Sequence, residues 1–471
     1  MSDAKAPVVE TKLTIPKSLP WRFLIYSVTA GWNAVVFAYM MFYNTEYAGL
    51  SATSLVAFLS VARLVDFGVS LISGPIVQRS NTKRWGEYRP WVVGLPISTW
   101  VGCTLLFLNP PIPLTAKLVV VCVGYMMLHL PMNFLTVAQN GLLMKVAGAN
   151  AENRLAISSR RIQGTNAGRI ISSAATLPLI TFVMTRGFNG YFWVSVGFGI
   201  FTMIGNFQIF GATKEYDQYN PNKAAVKATP LAKMYGDAFK IKEVWVLLIV
   251  DTLKMIAAQI VAGCLTYYYR YSAGNILYQA LAGTISSFVA LGASMVAVPI
   301  ARKLGKKASS MVTSFIYGLS YVFIALFADG RPIVYITFAC INLVGNAILA
   351  SYGINLWLDV AEIRLQKTGV DNRPFIMSVQ NLPIKIGMIA SGPALAWLLN
   401  TVGYSAGNMP NTAVFVRYLG FFPAAIYFLT VIIVQFFYNV SEQEAREAAA
   451  ANQAAAKARA EAAAAAPKPA N

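Results

Sequence analysis

Charge is what this sequence has least of. Asp, Glu, Lys and Arg make up 12 % of its 471 residues, and 56 % of the chain is apolar. Soluble proteins usually carry about twice that charge. Too little polar surface remains to coat globular domains of this length, which excludes a soluble enzyme and a disordered chain alike. Histidine occurs once, at His129. There is accordingly no HExxH helix, and the chain also lacks a GxxxxGK[ST] phosphate loop and an acidic cluster spaced for a catalytic metal. Cys103, Cys122, Cys264 and Cys340 each sit inside an apolar run without ligand spacing. They read as small buried hydrophobes rather than a zinc site or a disulfide framework. Neither a cofactor nor a resident metal is expected. Met1 to Pro20 is polar, and the apolar run after it is too long for a signal-peptide core.

The charge that is present is lopsided, with 38 basic against 19 acidic residues and a net of +19. It falls in short clusters between apolar runs, which argues against a nucleic-acid-binding face and for a multi-pass membrane protein. A span needs about 20 largely apolar residues, and about twelve such runs are present. The first six are Trp21–Asn44, Ser51–Val77, Trp91–Asn109, Lys117–Val146, Ala156–Thr185 and Tyr191–Gly211. The second six are Val244–Tyr271, Tyr278–Ala301, Ser309–Phe327, Ile333–Leu358, Phe375–Leu399 and Ala413–Val440. Connections after even-numbered spans are basic, as with Arg79, Lys83, Arg84 and Arg89, or Arg302, Lys303, Lys306 and Lys307. The positive-inside rule puts these connections and both termini in the cytoplasm.

The expected fold is an all-α membrane protein with twelve transmembrane helices in two six-helix bundles. Residues 1–20 form a cytoplasmic segment, 21–211 the first bundle, 212–243 a Lys-rich linker and 244–440 the second bundle. The Ala-rich tail at 441–471 has helix formers but no apolar face, and is expected as a solvated extension or a frayed helix. Six spans, a linker and six spans is the layout of carriers that bind at the midplane.

Span two and its loop read Ala62-Arg63-Leu64-Val65-Asp66, then Gly74, then Arg84-Trp85-Gly86-Glu87-Tyr88-Arg89-Pro90-Trp91. After span ten come Asp359, Glu362 and Lys367-Thr368-Gly369-Val370; span eleven holds Ser378-Val379-Gln380 and Lys385. These segments resemble the melibiose permease family, the glycoside–pentoside–hexuronide:cation symporters of the major facilitator fold. The resemblance covers nearly the whole chain apart from the tail. It implies transport of a small solute, usually a sugar or glycoside, coupled to Na⁺ or H⁺. It places the protein in a bacterial-type inner membrane, where it is expected to act as a monomer with the lipid bilayer and its solute as partners.

Ionised groups inside a membrane cost about 2.5–3.5 kcal/mol each, so those present are functional candidates. Arg63, Asp66 and Ser70 share one face of span two. The family's second acid falls at Ser70, leaving one carboxylate with a hydroxyl beside it. A lone buried carboxylate carries a proton well and a sodium ion poorly, so H⁺ is favoured at Asp66 and Na⁺ is the alternative. The family's sugar-binding acids fall at Ala30 and His129, and an aromatic position at Asn133. Its basic positions are kept at Arg161, with Arg160 adjacent, and at Lys385. A cavity with Arg161, Lys385 and His129 suits an anionic solute such as a hexuronide, with Gln380 and Asn381 as uncharged donors. Asp251 and Lys254 in span seven either neutralise each other or line the cavity. If the bundles meet as in the family, Arg84, Glu87 and Arg89 face Asp359, Glu362 and Arg373 as an inner gate. The competing function is an uncoupled uniporter or exchanger for another organic anion.

Overall fold

The first expected span is divided. Helix α1 (Ser18–Phe37) stops, and α2 (Met40–Glu46) begins after a two-residue turn. Packing enforces the break, because every residue from Met40 to Thr45 is buried. The Asn44 amide donates to Met40 O at 2.9 Å and to Leu106 O at 3.0 Å. Tyr43 packs against Phe107 and Tyr191, with ring centroids 5.4 and 5.1 Å away. This is a computed structural model, and it describes residues 15–147, 151–219, 241–368, 376, 379–380, 382–448 and 450–452. Arg373, Asn381, most of the linker (220–240) and the tail beyond 452 lie outside the described residues.

Helices follow one another as α3 (Ala52–Arg79), α4 (Arg89–Leu105), α5 (Leu114–Ala147), α6 (Ala151–Thr185) and α7 (Gly190–Ala212). After the linker come α8 (Lys242–Tyr267), continued by a π turn (Tyr268–Ser272), then α9 (Leu277–Leu304) and α10 (Lys306–Phe327). The series ends with α11 (Pro332–Thr368), α12 (Leu382–Thr401) and α13 (Thr412–Phe437). Ten helices among the described residues are long and apolar enough to cross a membrane. Helix α4, at 17 residues, is just short of that length.

The chain divides into two compact units. One holds Met1–Lys227 with Ile276–Ser287 and Ser405–Gly407; the other holds the remainder. In the first unit, small residues let backbones approach, the usual device where lipid removes the hydrophobic drive between helices. A Cβ on Gly164 would lie 2.3 Å from Leu24 O, and one on Gly168 equally close to Val28 O, so α6 crosses α1 at these two positions. Gly102 of α4 and Gly124 of α5 meet in the same way. Pro131 inside α5 lacks the N–H that would bond Met127 O, and the Ser98 hydroxyl of α4 donates to that carbonyl at 2.9 Å instead. In the second unit Gly387 of α12 abuts Met255 of α8, and Gly420 of α13 abuts Ala325 of α10.

After Val440 the expected helix is present, but its first part is seated on the protein rather than solvated. Residues 442–448 are helical, and Ala445 and Ala448 are buried together with Ile363 of α11. Glu442 accepts the backbone N–H of Lys306, Lys367 pairs with Glu444 at 2.9 Å, and the Asn452 amide donates to Glu362 Oε2 at 2.7 Å. Alanine methyls are enough of an apolar face to seat a helix on a neighbour that approaches this closely.

Candidate functional site

Asp66 lies near the middle of α3 and is 2 % exposed. The Asn133 amide of α5 donates to its Oδ1 at 2.6 Å and also reaches His129 O at 3.3 Å. His129 stacks on Tyr125 one turn earlier, with centroids 4.1 Å apart. The Arg63 guanidinium lies 6.0 Å from the centre of the same Tyr125 ring. Arg63, Asp66, Tyr125, His129 and Asn133 therefore form one cluster between α3 and α5. Ser70, the position of the family's second acid, donates its hydroxyl to Phe67 O of its own helix at 2.7 Å.

Farther along α5, Asn140 accepts from Arg161 Nη1 at 3.2 Å. Asn133 and Asn140 are seven residues apart, two helical turns, so they share a face and lie about 10 Å apart along the axis. A cavity of about 280 Å³ is lined by Ser158, Arg161, Ile162, Thr165 and Asn166. Arg160 turns elsewhere: its guanidinium sits 3.8 Å over the Trp21 ring and donates to Gln163 at 2.8 Å. Of the two adjacent arginines, Arg161 is the one placed at the cavity. In the second unit, Lys385 is half-buried on α12 and Gln380 is half-buried in the turn before it.

The Arg84-to-Trp91 loop folds into a clamp on its own unit. Gly86 has φ +82°, and a Cβ there would lie 2.2 Å from Asp217 O. That glycine lets Asp217 enter the N-terminus of α4, where unsatisfied N–H groups attract an anion. Its carboxylate accepts from the backbone N–H of Glu87 at 3.0 Å, Tyr88 at 2.7 Å and Arg89 at 2.9 Å. Lys145 pairs with both Asp217 and Glu87 at 2.9 Å. Burial pushes the Asp217 carboxyl up, but Lys145 and the three N–H donors outweigh it and hold the group below its ordinary value. Arg89 lies 4.1 Å over the Phe210 ring, and its Nε donates to Phe210 O at 2.9 Å. Arg84 is exposed beside Trp85.

In the second unit, Lys306 Nζ bridges both oxygens of Asp359 at 2.6 Å. Glu362 holds Asn452. The sequence reading did not single out Asp217 or Lys145. A signal existed, in an acid placed five residues past a membrane helix among lysines.

A family model described as MFS/sugar transport protein matches residues 26–442. YagG of Escherichia coli K12, whose name marks it as a candidate glycoside/cation symporter, is 25 % identical over 80 % of this chain and 81 % of its own. An isoprimeverose transporter of Lactiplantibacillus pentosus is 24 % identical over 86 % of both. A Salmonella typhimurium protein named as a candidate 2,3-dihydroxypropane-1-sulfonate exporter is 20 % identical over 86 % of this chain and 88 % of its own. The crystal structure of a D-xylose–proton symporter superposes with a TM-score of 0.62 at 10 % identity, covering 91 % of this chain and 98 % of that one, a likeness of fold. The resemblance carried by the span-two and loop motifs thus holds, and the chain belongs to the MFS/sugar transport family of symporter-like carriers, as a multi-pass inner-membrane transporter rather than an enzyme.

Proposed function

We propose that this protein is a cation-coupled symporter with twelve spans and cytoplasmic termini, importing a sugar or glycoside by alternating access, and that H⁺ is its coupling ion. The observation that carries the reading is Asp66, buried mid-helix and held at 2.6 Å by an uncharged amide. The amide fixes one carboxylate oxygen in the membrane without adding a charge, as a group that gains and loses a proton requires. Sodium favours several oxygen ligands, and the hydroxyl one turn away at Ser70 bonds its own helix.

Arg161 at the cavity, with His129 near Asp66 and Lys385 in the other unit, supports an anionic sugar derivative as solute. The sulfonate named for one relative is of the same charge class. Gln380 and Asn133 are assigned to its hydroxyls. We assign Glu87 and Arg89, with Asp217 and Lys145, to holding the inner end of the first unit rigid, and Asp359 with Lys306 to the same task in the second.

Uptake into vesicles of reconstituted protein, with pH and Na⁺ gradients set independently, tests the coupling. D-xylose and D-glucuronate serve as neutral and anionic probes. Uptake that follows the pH gradient and favours glucuronate supports the reading; dependence on Na⁺ alone contradicts the coupling ion, and preference for xylose contradicts the charge of the solute.

A further inference from the structure

The second unit holds a buried ionisable pair that the assignments above leave unused. Asp251 and Lys254 lie three residues apart on α8 and share one face. Lys254 is 6 % exposed. Of its three N–H donors, one reaches the Ser310 hydroxyl at 3.2 Å; the other two have no hydrogen-bond partner among the described residues. The Asp251 carboxylate accepts the indole N–H of Trp357, which is fully buried, at 2.9 Å. A cavity of about 20 Å³ opens beside the pair, lined also by Ser310, Lys307, Gly353 and Tyr438. That is room for one water. The Tyr438 hydroxyl is buried and has no hydrogen-bond partner among the described residues.

These features do not suit a purely structural pair. Buried ion pairs stabilise only when their remaining donors and acceptors are satisfied, and apolar residues of similar volume usually do better. Here Lys254 and the Tyr438 phenol both line a space that fits a water, and the phenol also faces the carboxylates of Asp359, Glu243 and Glu442. Lys307, in the first turn of α10, is half-buried, and its Nζ donates to Gln435 O at 3.2 Å and Tyr438 O at 2.7 Å.

The titratable groups around the pair come from several elements. Lys307 of α10 and Tyr438 after α13 line the cavity, whereas α11 and α13 line it with Leu349, Gly353, Leu356 and Val434. Helix α12 runs beside α8, Gly387 meeting Met255 and Leu395 meeting Gly263, which brings Lys385 level with the pair.

We propose that Asp251 and Lys254 form a second proton-exchanging site of this transporter, separate from Asp66, with Tyr438 and a cavity water as the relay. With its proton, the site is an ammonium beside a carboxylate and is neutral overall. On release a Lys254 N–H bond breaks, its electron pair stays on nitrogen, and the proton passes to water. The remaining carboxylate is held by the Trp357 indole. The proposal rests on the chain being a transporter but not on Asp66 being the coupling residue.

The test needs no solute. Full-length protein labelled with ¹³C-lysine at Cε is titrated in detergent micelles, and Lys254→Arg identifies the Lys254 signal by its loss. The expected result is a Lys254 signal that changes with pH across the neutral range and moves by at least one pH unit in Asp251→Asn or Tyr438→Phe. A signal that stays at the ammonium position to pH 10 in all three proteins overturns the proposal. In vesicles, Lys254→Met should flatten the pH profile of D-glucuronate uptake while exchange of internal for external solute persists. An unchanged profile also overturns it. Absence of any uptake with a normal Lys254 titration instead points to failure of the solute assignment.

Discussion

The Asn133 amide donates to Asp66 across the α3–α5 interface at 2.6 Å, and this bond ties the membrane-embedded carboxylate to the helix that carries His129. Hydrogen bonds to charged groups contribute about 1.5–3 kcal/mol. Asn133→Leu should therefore lower concentrative uptake of glucuronate roughly 10- to 100-fold, with far less effect on protein yield. Initial uptake rates under a fixed pH gradient check this; wild-type rates in the variant would show that the amide is not part of the coupling site.

Ser70 separates the two coupling ions. Its hydroxyl donates to Phe67 O, so Ser70→Asp would place a second carboxylate one turn from Asp66, where the family has one. The expected outcome is Na⁺-stimulated uptake in a protein whose wild type responds to pH. Parallel assays in Na⁺ and choline media read the difference.

The two adjacent arginines should behave differently. Arg161 reaches Asn140 at the cavity, whereas Arg160 covers Trp21. Arg161→Gln should raise the KM for glucuronate at least tenfold and leave that for xylose within about twofold, since a charge-assisted bond is roughly twice as strong as a neutral one. Arg160→Gln should leave both within about twofold. Competition uptake with both probes decides it.

The Asp217 clamp predicts acid sensitivity. Its folded-state carboxyl lies below the ordinary value, so its contribution is complete above the unfolded value of about 3.9 and is lost as pH falls through the lower folded one. Asp217→Asn keeps the shape but loses the charge that holds Lys145 and three N–H groups. Breaking such a buried arrangement costs about 3–5 kcal/mol. The variant should unfold at a clearly lower temperature at pH 7, and the gap to wild type should close toward pH 3. A constant gap in thermal unfolding would contradict the electrostatic account.

Much of this was legible in the residues. Long apolar runs fixed where most helices lie, and the Trp85-Gly86-Glu87 loop and Asp66 carried the family. The division of the first span was not legible, because α2 is set apart by the burial of Tyr43 and Asn44 against distant residues rather than by a local breaker. The seated tail was hidden for a related reason. Alanine reads as weakly apolar in a sequence, and only the approach of Ile363 makes Ala445 and Ala448 a packing face. Asp66 and Ser70 could be paired by helical spacing, yet the Asn133 donor is 67 residues from Asp66, beyond any local periodicity. The exposed apolar side chains, such as Phe182, Trp193 and Met295, needed no structure to explain, since a chain this poor in charge presents them to lipid.

Central to the proposed function is that Asp66 carries the coupling proton, and one comparison addresses it most directly. Wild type and Asp66→Asn are reconstituted side by side, and pH-driven glucuronate accumulation is measured with solute exchange at equal pH inside and out. Accumulation abolished in Asp66→Asn while exchange continues is the predicted result. Accumulation at the wild-type level in the variant would contradict the account.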